Sequence, residues 1–293
     1  MREVNPKVKA FILAVLYPFI YIGAQFLVEF SYIFSCMFNE MALHGPAADP
    51  AAYAALIETV QTRTYENIHL IMICSAVITV VAALIVARKQ GGVQTVALHT
   101  RLSAPHLLLA ALACGAGMNI LTGILMEVAP VPQALEESYL ELVGESIFSG
   151  SVWMQTLSSV LFIPIAEEII FRGLIAKTLR KAFSFGVTLV FQAVLFTLIH
   201  MHPYQMLYVF PMALLLGLLF LWSDNLLVPI MTHMAYNGLS VFLTAAAPEG
   251  DGGYSAMAVC LLLLVGVAGF VYMYRNRLRP PLLAKNRGRG GDL

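Results

Sequence analysis

Eight runs of roughly twenty apolar residues recur along this 293-residue chain, at 10–36, 67–87, 106–127, 153–172, 186–202, 204–222, 226–247 and 255–274. A hydrocarbon layer about 30 Å thick is crossed by a helix of ~20 apolar residues, because only a helix or a closed barrel satisfies its own backbone there. The runs therefore predict an all-α, polytopic membrane protein, a bundle of about eight transmembrane helices. Composition leaves no room for a soluble alternative: 59% of the residues are hydrophobic and 12% charged, where soluble domains run near half and a quarter. The first run follows Lys7 and Lys9 but is long and has no small-residue cleavage site after it, so it is expected to stay as a span. No period of 20–50 residues repeats, which excludes a solenoid. The chain divides into N-terminal spans and outer loops (1–149), a polar-bearing helical core (150–247), and a last span with a basic tail (248–293), all within one transmembrane domain.

The 17 basic and 17 acidic residues cancel, so net charge gives no reason to expect a nucleic-acid partner. Their positions carry more information, since Lys and Arg near span ends stay on the cytoplasmic side. With a cytoplasmic N-terminus, Arg2, Lys7, Lys9, Arg88, Lys89, Arg101, Lys177, Arg180, Lys181, Arg275, Arg277, Arg279, Lys285, Arg287 and Arg289 lie inside, with Arg172 at or near the inner boundary. Arg63 lies outside, among Glu40, Asp49, Glu58 and Glu66; Glu136, Glu137, Glu141, Glu145, Glu249 and Asp251 are also outside. Both termini are thus expected in the cytoplasm. Residues 48–65 and 133–148 pattern as short amphipathic helices or plain connectors on the outer face, and the tail from Arg275 suits anionic lipid headgroups. Cys36, Cys74, Cys114 and Cys260 have no ligand spacing and are expected to be small core residues.

Ionisable residues at membrane depth are costly, so each is a functional candidate. In SSVLFIPIAEEIIFRGLIA, Glu168 and Arg172 are four apart on one helical face, which favours an ion pair, while Glu167 points about 100° away without that partner. A carboxylate in such a setting suits a general base; a structural pair with a spare acid near the headgroups is an equal reading. Phe196 and His200 also stand four apart, so the ring can shield the imidazole and shape a pocket. The turn near Phe183 and Ser184 places Glu167 and His200 at one level of an antiparallel hairpin, expected in the inner half of the bilayer. His233 and Asn237, again four apart, offer two neutral donors for a developing oxyanion, or else a tie between helices. His202 lies about 200° from His200 and is expected outside the site; Pro203 ends or kinks the helix beside a cavity.

A base for water and donors for a tetrahedral intermediate are the components of amide hydrolysis. No zinc-protease HExxH helix, GxSxG elbow or pair of span aspartates is present. Buried acids and histidines also build proton- or ion-coupled transporters, although here they cluster in one half of the chain. The order EExxxR (Glu167, Glu168, Arg172), FxxxH (Phe196, His200) and HxxxN (His233, Asn237) resembles the CPBP family of intramembrane endopeptidases, also called the Abi or CAAX-protease family, which includes the Ras-converting CAAX endopeptidases. The resemblance covers about residues 150–240. It implies that Glu167 with His200 activates water, that His233 and Asn237 stabilise the oxyanion, and that Glu168, Arg172 and Phe196 support the site. It also implies an eight-helix bundle with cytosolic termini and a hydrophobic or lipidated peptide substrate, cleaved near the cytoplasmic side. It leaves a zinc ion on Glu167, His200 and His233 open; no obligatory cofactor is expected. A non-catalytic immunity or binding role is also compatible with it. Short loops and the lack of an ER-retention signal suggest a prokaryotic plasma membrane.

Overall fold

A computed structural model of the chain describes residues 5–89, 105–146, 151–246 and 255–277. Among these residues the protein is helical and has no strand. Helices α1 (Pro6–Leu16) and α2 (Pro18–His44) join into one 39-residue rod, because Tyr17 between them keeps helical dihedrals and Pro18 sits at a first-turn position where its missing N–H does no harm. At 1.5 Å per residue the rod is about 58 Å long, nearly twice the hydrocarbon thickness. It therefore overshoots the expected 10–36 run and is longer than one crossing requires. At its far end α3 (Pro50–Glu66), capped by Asp49, folds back on it, with Arg63 2.6 Å from Glu40.

Helices α4 (Ile68–Lys89) and α5 (Pro105–Val128) cross in turn, and α6 (Gln133–Ser146) is the second amphipathic helix of the acidic end. The next rod, α7, covers 152–180 as α-helix and wider π-helix in alternation: Val152–Gln155, π over Thr156–Phe162, Ile163–Glu168, π over Ile169–Ala176, and Lys177–Arg180. Pro164 accounts for the first widening, since it has no N–H for the Val160 carbonyl and its ring crowds that oxygen. π turns are rare and gather at functional sites; these flank both glutamates. Then follow α8 (Phe185–Leu198), α9 (Pro203–Ser223), α10 (Leu227–Ala246) and α11 (Ala256–Arg275).

By length and composition, five helices among the described residues can cross a membrane: the α1–α2 rod, α4, α5, α9 and α11. The other three expected runs are the ones that hold the motifs. Helix α8 is apolar but 14 residues long, α7 carries two acids and an arginine, and His233, Tyr236 and Asn237 dilute α10. The expected run 186–202 is corrected: the helix stops at Leu198, because the residue before a proline avoids helical geometry and His202 is extended (φ −103°, ψ 121°) ahead of Pro203. Met201 in this turn takes the left-handed region at φ 54°.

Lipid does not drive helices together, so close approach depends on small residues. A Cβ at Gly115 of α5 would lie 2.1 Å from the Thr232 carbonyl of α10, and one at Gly117 2.5 Å from Gly266 Cα of α11. The first contact sets the depth of α10, and with it His233. The cysteine expectation is half corrected: Cys36 and Cys114 are buried, whereas Cys74 and Cys260 are exposed on the outside of the bundle.

The basic helix ends gather at one end of the bundle. Leu179, Ala87, Leu216, Phe220 and Leu226, each 2% exposed or less, seal it. Ring contacts tie the start of α5 to the end of α11 (His106 and Tyr272, 5.7 Å) and the end of α9 to α11 (Trp222 and Tyr274, 5.6 Å). Arg2, Arg101, Glu249, Asp251 and the basic tail beyond Arg277, together with the Glu145 side chain, lie outside the described residues.

Candidate active site

Below the centre of the bundle lies a dry polar cluster. Arg172 Nη1 donates to Glu168 Oε1 at 2.8 Å, both side chains fully buried, and Nη2 donates to the Ala213 carbonyl of α9 at 3.1 Å. Gln192 of α8 donates to the same carbonyl at 3.1 Å. The Phe196 ring lies 4.6 Å from the guanidinium carbon, a cation–π contact within a site from which water is excluded. The pair thus ties α7, α8 and α9 together.

This cluster orients one histidine. His233 Nδ1 is 2.9 Å from Glu168 Oε1, the oxygen that also takes Arg172. A carboxylate held by arginine is an acceptor, so Nδ1 carries the hydrogen and Nε2 turns to the neighbouring acid, 3.8 Å from Glu167 Oε2. Glu167 is the other kind of carboxylate. It is 4% exposed, faces away from Arg172, and takes its hydrogen bond from a residue that no motif indicates: Tyr21 of α2 donates to Oε1 at 2.9 Å. The sequence expectation that Glu167 lacks a partner holds only within its own helix. The available signal was the four-residue step Tyr17, Tyr21, Gln25 on the first span, a polar-tipped face on which Tyr17 and Tyr21 are buried.

His200 stands just past the end of α8 and donates through Nδ1 to the Phe196 carbonyl at 2.9 Å, which leaves Nε2 as an acceptor. Phe196 touches both histidine rings, at 5.1 Å from His200 and 6.0 Å from His233, but it sits behind them and does not line the cavity. Asn237 is partly committed: one N–H goes to the Ser159 carbonyl at 2.8 Å, in the π turn of α7, and its second N–H remains for a ligand. His202 lies elsewhere, 3.4 Å from Ser138 and against the Tyr139 ring of α6.

Glu167, His200, His233, Asn237 and Tyr21 share one cavity of about 940 Å³, at the upper end of ordinary small-ligand sites. Its floor is at mid-helix, about 20 Å of helix from Arg180. From there it reaches Thr122 and Glu127 at the end of α5, Thr244 at the end of α10 and Tyr204 at the start of α9. Tyr204 bonds Glu136 of α6 at 3.0 Å and stacks on Tyr139, so α6 frames the mouth. None of the lining residues belongs to the basic helix ends. The cavity therefore opens at the end of the bundle away from the basic helix ends.

Both imidazoles have Nδ1 held by an acceptor, an arrangement that also suits zinc-binding histidines. Among the described residues, however, no three His, Cys, Asp or Glu side chains stand close enough to hold an ion. Glu167, His200 and His233, the three that a zinc site here would need, are not grouped around one point at ligating distance.

One family model matches the chain: Rce1-like, described as type II CAAX prenyl endopeptidase Rce1-like, over residues 149–239. The match holds all three motifs. No curated protein and no solved structure matches.

Proposed function

We propose, from the membership of residues 149–239 in the Rce1-like CAAX-endopeptidase family, that this integral membrane protein hydrolyses a peptide bond of a hydrophobic or lipid-anchored peptide with water activated by Glu167 and His200. The single observation that carries the reading is the division of labour between adjacent carboxylates. Glu168 is occupied by Arg172 and His233, while Glu167 faces a large cavity beside two histidines.

The residues assemble into a reaction as follows. Tyr21 holds Glu167 Oε1, which leaves Oε2 for the cavity. A water bonded to Glu167 Oε2 and His200 Nε2 gives its two hydrogens to these acceptors and turns a lone pair to the scissile carbonyl. Attack forms the C–O bond as Glu167 takes the proton. The second N–H of Asn237 meets the oxyanion, joined by His233 Nε2–H when that imidazole carries both protons. Return of the proton from Glu167 to the amide nitrogen breaks the C–N bond and frees the two peptide products. The reaction is read as metal-independent; what supports this is the spacing of the three side chains and the set of acceptors already able to hold water.

The test compares membrane peptides from cells making the wild-type chain, Glu167→Gln or His200→Ala at equal protein level. Fragments that vanish in both variants are the expected outcome, with a chelator leaving purified wild-type turnover unchanged. Persistence of all fragments in both variants removes the assignment, and loss of turnover with the chelator, restored by zinc, removes its metal-free form.

A further inference from the structure

Two features of the bundle bear jointly on where the substrate comes from. The first is charge. Among the described residues, Lys7 and Lys9 open α1, Arg88 and Lys89 close α4, Lys177, Arg180 and Lys181 lie at the α7–α8 turn, and Arg275 and Arg277 close α11. The basic residue at the other end is Arg63, and it is 2.6 Å from Glu40, whose side chain is 9% exposed. Lys and Arg close to span ends set orientation, and acids contribute little to it, so the distribution fixes the basic end in the cytoplasm.

The second feature is access. The basic end is sealed by buried apolar side chains, Leu179 and Leu226 among them, each 1% exposed. The cavity runs from its mid-helix floor to the opposite rim at Glu127, Thr244 and Tyr204. A peptide arriving from the cytoplasm would meet the plug; one arriving at the acidic face meets an open, tyrosine-lined mouth.

We infer that the cavity receives its substrate from the non-cytoplasmic face, so that the substrate class is an apolar peptide segment seated in the outer half of the bilayer, and a prenylated carboxyl terminus displayed in the cytoplasm is outside it. The inference rests on the endopeptidase reading for the word substrate, but its geometry is independent of catalysis. It narrows the family activity to peptides that have already been inserted or exported.

The experiment places Glu127→Cys, at the mouth, or Lys181→Cys, at the basic end, in a chain whose four native cysteines are replaced by alanine, made in a bacterial plasma membrane. Intact cells are treated with a membrane-impermeant maleimide, and labelling after permeabilisation gives the total. Glu127→Cys labels in intact cells and Lys181→Cys only after permeabilisation. The reverse pattern, or equal labelling of both in intact cells, overturns the inference. Should the cysteine-free chain fail to fold, alkaline phosphatase fused after Leu293 of the wild-type chain reads the same question: an inactive fusion beside a fluorescent cytoplasmic-reporter fusion supports it, and an active phosphatase overturns it. A chain labelled as expected but without peptidase activity discards the endopeptidase reading and keeps the orientation; a chain that cleaves but labels in reverse does the opposite.

Discussion

Glu167 and Glu168 are neighbours in sequence and both buried, yet they belong to two regions built on different terms. Around Glu168 the site is scaffold: one oxygen accepts from Arg172 and His233, Phe196 covers the cation, and four helices, α7 to α10, are tied at one point. Around Glu167 it is open: one oxygen is held by Tyr21 from a distant helix and the other faces 940 Å³ of cavity. The difference teaches that in a membrane interior a carboxylate becomes a reagent through the open space it faces, and a strut through the cation and donor that hold it.

The largest effects separate the two regions by readout. Arg172→Met leaves the Glu168 charge buried without its cation, a change that costs roughly 3–5 kcal/mol, so thermal stability in detergent falls steeply and activity falls with it. Glu167→Gln is expected to keep the melting temperature near that of the wild type while kcat drops about 10²–10⁴-fold, the usual worth of a general base. If Arg172→Met is stable and Glu167→Gln unfolds, the scaffold and reagent assignments are reversed. Arg172→Lys does not rescue, because the ammonium cannot donate to Glu168 and the Ala213 carbonyl with the planar fork of arginine.

Next in size is Tyr21→Phe. A hydrogen bond to a charged group contributes about 1.5–3 kcal/mol, and here it positions the base; it does not hold the fold together. The expected result is a loss in kcat on the order of tenfold to a hundredfold with KM nearly unchanged, by the same conversion of free energy to rate. A shift confined to KM would make Tyr21 a substrate contact, and an unchanged kcat would detach it from Glu167 altogether.

Tyr21 also marks where the sequence stops being legible. Spacing of four placed Glu168 with Arg172 and Phe196 with His200, since such pairs are set within one helix by its 3.6-residue turn. The helical, membrane-spanning class followed from apolar runs for a similarly local reason. What sequence could not give were relations between distant segments. Tyr21 meets Glu167 across 146 residues, His233 takes Glu168 across 65, and a tyrosine on an apolar span reads as core or interface. The π turns of α7 were masked because Pro164 inside a span also reads as a simple kink. The end at which the cavity opens was equally illegible, because the plug at the basic end forms from residues on α4, α7 and α9 that have no mutual sequence signal.

A smaller effect probes how the two regions are held in register. Gly115→Ala places a methyl 2.1 Å from the Thr232 carbonyl, so α5 and α10 must separate at the turn that carries His233. Such overpacking costs about 1–3 kcal/mol. Both stability and kcat are expected to fall, and Gly23→Ala, on an exposed face of α2 with nothing within 4 Å, is expected to leave kcat unchanged and stability undiminished. Equal behaviour of the two variants would show that this contact does not set the site.

The smallest effect concerns Met201, one residue beyond His200 and in the left-handed region at φ 54°. A side chain there costs about 1–2 kcal/mol, and backbone strain beside a reacting group is a reason to ask whether it fixes that group. Met201→Gly removes the strain but adds freedom to the unfolded chain worth roughly 0.5–1 kcal/mol, so the net gain in stability is expected to be about 1 kcal/mol or less. If the strained turn also locks His200 beside Glu167, the same variant loses some kcat while gaining stability. Opposite signs in the two readouts would place the turn with the reagent region; a gain in stability with kcat unchanged would place it with the scaffold, and a loss of stability would show that Met201 is held by contacts worth more than its strain.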